Sequence, residues 1–178
     1  VLPNSTKILF HRAFQQMQEL ENGSLANSDE NRMVGHYWLR NSELAPSLEI
    51  KNQIRVTLEN IQHFTQRIQQ NKIIPQKADS FRKVLLLGIG GSELGPQFVQ
   101  NALVSTSDRM RFYFIDNTDP DGIDHVMTEI GDQLNTTLTL IISKSGGTKE
   151  TRNAMLEVRH HYENSGLDFS RHAVAVTG

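Results

Sequence analysis

Three short apolar runs, each followed by a turn of small or hydroxyl residues and then by a helical stretch, constrain this chain most. Val84-Leu-Leu-Leu-Gly88 is continuous and apolar, as in a strand buried on both faces. Glycines follow it, then a helical pattern from about Leu94 to Leu103. Arg111-Phe-Tyr-Phe-Ile115 reads as a second strand, and Pro120 opens a helix to about Ile130. Thr137-Leu-Thr-Leu-Ile-Ile142 reads as a third, with a helix from about Lys149 to Asn164, and Ala173 to Val176 as a fourth. Strands alternating with helices at crossover spacing predict a parallel α/β sheet.

The first part of the chain reads differently. Apolar residues from Ile8 to Leu20 fall on one face of a helix over Lys7–Glu21, with Asn4, Ser5 and Thr6 as candidate caps and Gly23 as its stop. Residues 22–27 read as a polar loop, and a second helix is expected from Asp29 to Arg40, with His36 packed beside Tyr37 and Trp38. Pro46 opens a third, to about Asn71, whose apolar stripe is Leu48, Ile54, Leu58, Ile61, Phe64 and Ile68. The expected organisation is a helical segment, 1–80, packing on an α/β domain, 81–178. The chain starts at Val1 and its last residues read as a strand without a following helix, so a piece of a longer protein is expected.

Composition excludes several functions. No cysteine is present, which removes disulfides, thiolate nucleophiles and cysteine-held metals. The formal net charge is −2 without a basic patch, so no nucleic-acid partner is expected. No apolar run approaches the roughly 20 residues of a membrane helix. His160 and His161 are adjacent, do not share a helix face, and form no expected metal site.

In a parallel sheet, ligands bind beyond the carboxyl ends of strands. Two segments lie there. Gly88-Ile-Gly-Gly-Ser-Glu-Leu-Gly-Pro96 is neither the dinucleotide G-x-G-x-x-G pattern nor a Walker loop. It is either a tightly packed strand–helix turn or a cradle of backbone N–H groups for an anion. In Ser143-Lys-Ser-Gly-Gly-Thr-Lys-Glu-Thr151, the hydroxyls of Ser143, Ser145, Thr148 and Thr151 can donate to phosphate oxygens, with Lys144 as a point charge. The alternative is a hydroxyl-rich cap that only satisfies free N–H groups of the helix. Glu93 and Glu150 stand near the two loops as possible bases, Glu150 being more simply a partner of the helix dipole.

Together, Leu87–Pro96, Phe114–Pro120 and Ser143–Thr151 resemble the glucose-6-phosphate isomerase (phosphoglucose isomerase) family and its sugar-isomerase (SIS) fold, a three-layer α/β/α architecture. Asn31-Arg-Met-Val-Gly-His-Tyr-Trp-Leu-Arg40 also looks like the family's N-terminal region. The resemblance implies that Ser143, Ser145, Thr148 and Thr151 hold a substrate phosphate, that Lys144 lies beside the substrate, and that Gly91 and Ser92 line the sugar. Many members carry an aromatic and a threonine where this chain has Gly146-Gly147, a form that also looks like SIS modules of regulators and aminosugar enzymes.

The implied activity is interconversion of glucose 6-phosphate and fructose 6-phosphate, in glycolysis and gluconeogenesis, by proton transfer through an enediol. No metal or organic cofactor is implied. A cytoplasmic homodimer is implied for the whole protein. The implied base, ring-opening groups and arginine belong to motifs expected after Gly178, so no catalytic residue is assigned in this chain and the isolated piece is expected to be inactive. A non-catalytic SIS module sensing a phosphosugar in a regulator is the alternative, and a nucleotide-binding enzyme a third reading.

Overall fold

The computed structural model describes residues 3–178. The chain divides into two compact units, one ending at Gln66 and one covering Arg67–Gly178.

In the first unit, α1 (Asn4–Glu21) follows Pro3 with no side-chain cap, so Asn4, Ser5 and Thr6 lie inside the helix instead of capping it. Its apolar residues Ile8, Leu9, Phe10 and Phe14 are exposed. The segment expected to be a loop and a helix forms a small antiparallel hairpin, β1 (Leu25–Asn27) with β2 (Arg32–Met33). Asn31 adopts φ 53°, which a helix cannot accommodate. Only His36–Arg40 is helical (α2). Trp38 is buried there, its indole N–H donating to Glu21 O at 2.9 Å. His36, expected to pack, is exposed, with its ring 4.0 Å from that of Tyr37. α3 (Leu48–Gln69) starts after Ser47, whose hydroxyl accepts from the Ile50 N–H at 3.2 Å. Of the expected stripe, Ile68 is buried, Ile54 and Phe64 are half-buried, and Leu48, Leu58 and Ile61 are exposed. Periodicity makes a helix amphipathic, but burial needs a surface opposite.

The second unit is a four-stranded parallel sheet of order β4-β3-β5-β6, from β3 (Lys83–Leu87), β4 (Arg111–Ile115), β5 (Thr137–Ile142) and β6 (Ala173–Val176). All five residues of β3 are buried, as its continuous apolar run predicts. α5 (Pro120–Ile130) and α6 (Lys149–Asn164) cover one face. There Leu85, Leu87, Tyr113 and Ile115 pack with Ile123, Met127, Ile130, Ala154, Val158 and Tyr162 in one core. α4 (Gly91–Leu103) lies on the other face, where Ser92 and Pro96 line one cavity with Ile142 and Val176, and Gln100 lines another with Phe112 and Phe114. The expected three layers are thus present. Asp119 caps α5 by accepting from the Gly122 N–H at 3.1 Å.

At the amino ends of the strands, buried polar groups are paired. Tyr162 donates its proton to Thr137 O at 3.0 Å, so the Thr139 hydroxyl donates to the Tyr162 oxygen, also at 3.0 Å. His172, fully buried, donates from Nδ1 to Thr137 O at 3.0 Å and accepts the Gln76 N–H at Nε2. This geometry requires the neutral ring, and burial moves the imidazole pKa below its usual 6.5. Lys83 Nζ donates to Ile130 O at 3.2 Å, placing a cation at the C-terminal end of α5.

Candidate phosphate-binding crevice

Chain order and sheet order part company at β3. The chain leaves β3 towards β4 on one side, then returns to β5 on the other. Loops after β3 and β5 therefore diverge, opening a crevice at the carboxyl ends of the two central strands. Both informative segments meet at this point: residues 88–90 lead from β3 into α4, and residues 143–148 lead from β5 into α6.

In the first loop, Gly90 adopts φ 56° and ψ −125°, a conformation closed to residues with a Cβ. This turn starts α4 at Gly91, three residues earlier than the propensities of two glycines suggest. The first turn of α4 closes on this loop, with the Ser92 N–H donating to Ile89 O at 3.2 Å and the Glu93 and Leu94 N–H groups donating to Gly90 O at 3.1 and 2.9 Å. Beyond their own chain neighbours and helix backbone, neither Gly90 nor Gly91 has an atom within 4 Å of where a Cβ would stand, so the space on that side of the loop is open.

The second loop bears on the two readings left open by the sequence. If the hydroxyls were simple caps, Thr148 would bond the first turn of α6. It is the N-cap residue and makes no side-chain cap bond. Its hydroxyl instead pairs with the Ser143 hydroxyl at 3.0 Å, across the loop. Ser145 accepts from the Gly147 N–H at 3.2 Å. The amide donors at the start of α6 are left without a hydroxyl cap, and Gly146, at φ 66°, supplies the turn that aims them. Ser143 and Thr151 are buried, Thr148 is half-buried, and Lys144 and Ser145 are exposed. The Thr151 hydroxyl is one of two buried side-chain polar atoms without a partner among the described residues.

Of the expected residues, Gly91, Ser92 and Lys144 line one cavity of about 390 Å³ with Ile142, Val176 and Gly178. Ser143 and Thr148 are joined directly, and Ser145 shares their loop. Thr151 faces another, smaller space with Gly88, Ile89 and Asp116. Sequence reasoning missed the end of β6: the Gly178 N–H donates to Lys144 O at 3.1 Å, and Thr177 Oγ1 would stand 3.4 Å from a Cβ on Gly146. No local signal could have linked positions more than 30 residues apart. A roomier cavity of about 450 Å³ lies between α5 and α6, but its charged lining, Asp124 and Glu157, repels anions. No cluster of three or more histidine, aspartate or glutamate residues suited to a metal ion occurs among the described residues, and no helix is long and apolar enough to cross a membrane.

What can such a crevice do? It gathers the hydroxyls of the second loop, a lysine and the start of α6 without a side-chain cap, groups that suit a compact anion, while Asp116 and Glu150 line the smaller space beside Thr151.

A family model described as phosphoglucose isomerase matches residues 5–178. The chain is 56% identical over 170 residues to a glucose-6-phosphate isomerase of Geotalea daltonii, covering 96% of this chain and 32% of the relative. It is 58% identical over 165 residues to that of Desulfitobacterium hafniense, covering 93% and 31%. Among solved structures, a glucose-6-phosphate isomerase from Chlamydia trachomatis superposes with TM-score 0.75 at 30% identity, over 92% of this chain and 32% of that one. The chain thus spans about a third of the length of the relatives it matches. Matched from residue 5 to its last residue, and alike in sequence and in fold, this chain belongs to the phosphoglucose isomerase family.

Proposed function

We propose that this chain supplies the substrate-phosphate site of a glucose-6-phosphate isomerase. The whole protein interconverts glucose 6-phosphate and fructose 6-phosphate through an enediol. It acts in the cytoplasm as a homodimer, with no nucleic-acid or membrane partner. Residues 81–178 form the phosphosugar-binding domain, after a helical segment at 1–80. Ser143, Ser145, Thr148 and Thr151 donate to the phosphate, Lys144 adds charge beside it, and Gly91 and Ser92 line the sugar. The observation that carries this reading is the uncapped start of α6, where Thr148 pairs with Ser143 instead of serving its own helix. Hydroxyls arranged this way are held for an external acceptor. The groups that move the proton lie outside this chain, so it binds phosphosugar without turning it over.

Calorimetric titration of the 178-residue chain tests this. Fructose 6-phosphate is expected to bind, whereas fructose and NAD are not. Preference for NAD would identify the glycine loop as a nucleotide site, and absence of binding would show that this chain does not hold the phosphate by itself.

A paired substitution tests the loop geometry. Gly90 and Gly131 share a backbone conformation, φ 56° and ψ −125° against φ 52° and ψ −136°. Gly131 lies at the opposite end of the sheet, after α5. Alanine at either position is expected to cost about 1–3 kcal/mol of stability through strain. Only Gly90→Ala is expected to weaken fructose 6-phosphate binding as well. Equal binding by the two variants would remove the glycine loop from the site.

A further inference from the structure

The second buried polar atom without a partner belongs to Glu93. This residue stands in the first turn of α4, directly after Ser92, and is only 1% exposed. Its Oε1 meets no donor among the described residues. The nearby charge it senses is another carboxylate, Asp116, at the end of β4. The glycine loop is tied to that same strand end, because the Gly88 N–H donates to Ile115 O at 3.3 Å. Gly88, Ile89 and Asp116 also share a small space with Glu150 of α6, and Lys144 lines the neighbouring cavity with Gly91 and Ser92.

A carboxylate oxygen buried without a hydrogen-bond donor makes the ionised form more costly and shifts the group towards the protonated one. A second carboxylate nearby acts in the same direction. Burial, seconded by Asp116, holds the Glu93 carboxyl above the ordinary carboxylate range. Its position gives this proton a consequence. Glu93 is one residue from Ser92, which lines the neighbouring cavity with Gly91 and Lys144, and its own N–H donates to Gly90 O of the glycine loop at 3.1 Å. A negative charge there would oppose an incoming phosphate dianion, and a neutral acid would not.

We propose that Glu93 is a positioning residue whose buried side chain sets the charge of the glycine loop, and that phosphosugar binding in the crevice is thereby coupled to the protonation of Glu93. The proposal rests on the phosphosugar reading of the site. By linkage, a bound dianion stabilises the protonated form and raises the pH at which Glu93 ionises. Affinity therefore declines relative to an uncharged variant as the pH rises through that midpoint.

Two measurements test this. In the free chain, the carboxyl carbon of Glu93, assigned by its loss in Glu93→Gln, is followed by NMR against pH. Its midpoint is expected above those of the exposed glutamates, and higher still with fructose 6-phosphate. In parallel, fructose 6-phosphate affinity is measured against pH in both proteins. The ratio of Glu93→Gln to wild-type affinity is expected to grow roughly three- to tenfold across the Glu93 midpoint. Taking this ratio cancels the ionisation of the sugar phosphate itself. A Glu93 midpoint among the exposed glutamates overturns the proposal without reference to any ligand. A pH-independent ratio overturns the coupling. A raised midpoint without any fructose 6-phosphate binding overturns the phosphosugar reading, and the coupling with it, while leaving the buried proton in place. A purely structural role for Glu93 would shift stability and leave the ratio flat.

Discussion

Replacing Ser145 and Thr148 together by alanine is expected to weaken fructose 6-phosphate binding by roughly 10²–10⁴-fold. Each hydroxyl bonded to a charged phosphate oxygen contributes about 1.5–3 kcal/mol, so the pair contributes about 3–6 kcal/mol once desolvated. Neither hydroxyl supports the core. Ser145 is exposed and accepts from the Gly147 N–H, and Thr148 bonds the Ser143 hydroxyl at the mouth of the crevice. Folding is therefore expected to survive, which circular dichroism and thermal unfolding would verify, while calorimetry reads the loss of affinity. Wild-type affinity in the double variant would place the phosphate elsewhere. The single changes are expected to be non-additive, because the Thr148 hydroxyl also orients Ser143.

Tyr162→Ala is expected to be the most damaging change to the second unit, at about 3–5 kcal/mol, with ligand contacts untouched. The ring is fully buried in the core under α6 and packs 5.3 Å from Phe169 and 5.1 Å from His172, centroid to centroid. Its hydroxyl joins Thr137 O to the Thr139 side chain. Removal leaves a cavity and also strips a donor from Thr137 O and an acceptor from Thr139, both fully buried. Tyr162→Phe isolates the polar part and is expected to cost about 1–3 kcal/mol. Denaturant unfolding of both variants measures the two contributions. A Tyr162→Phe cost as large as that of Tyr162→Ala would mean that packing contributes little here.

Both predictions rest on residues of different legibility. Ser145 and Thr148 stand out in the sequence because hydroxyls, a lysine and glycines crowd between an apolar run and a helical pattern. Tyr162 lies in a polar stretch of α6, and nothing local marks it as a core residue. The same contrast holds for the elements. β5 and β6 end where apolar runs meet the hydroxyl residues Ser143 and Thr177, α5 ends at Gly131, and β4 ends at Asp116-Asn117. The β1–β2 hairpin was missed because Asn31 in a left-handed turn reads no differently from Asn31 in a helix. α4 begins at Gly91, against propensity, because the strand end and the Gly90 turn set its first residue. Its outward side, with Leu94, Phe98 and Leu103 more than 60% exposed, reverses what its apolar pattern suggests.

By itself the sequence determined the parallel α/β class, the order of strands and helices in the second unit, the two loops that carry chemistry, and the family resemblance. These are local properties: periodicity, turn residues and the donors available within a few positions. Only the tertiary structure decided the sheet order β4-β3-β5-β6, which opens the crevice between the two loops. It also decided that Thr148 turns to Ser143 and away from its helix, that the end of β6 meets Lys144, and that Glu93 is buried near Asp116 with Oε1 lacking a donor among the described residues. Those outcomes depend on groups tens of residues apart competing for the same partners and the same space, and no local pattern encodes which of them wins.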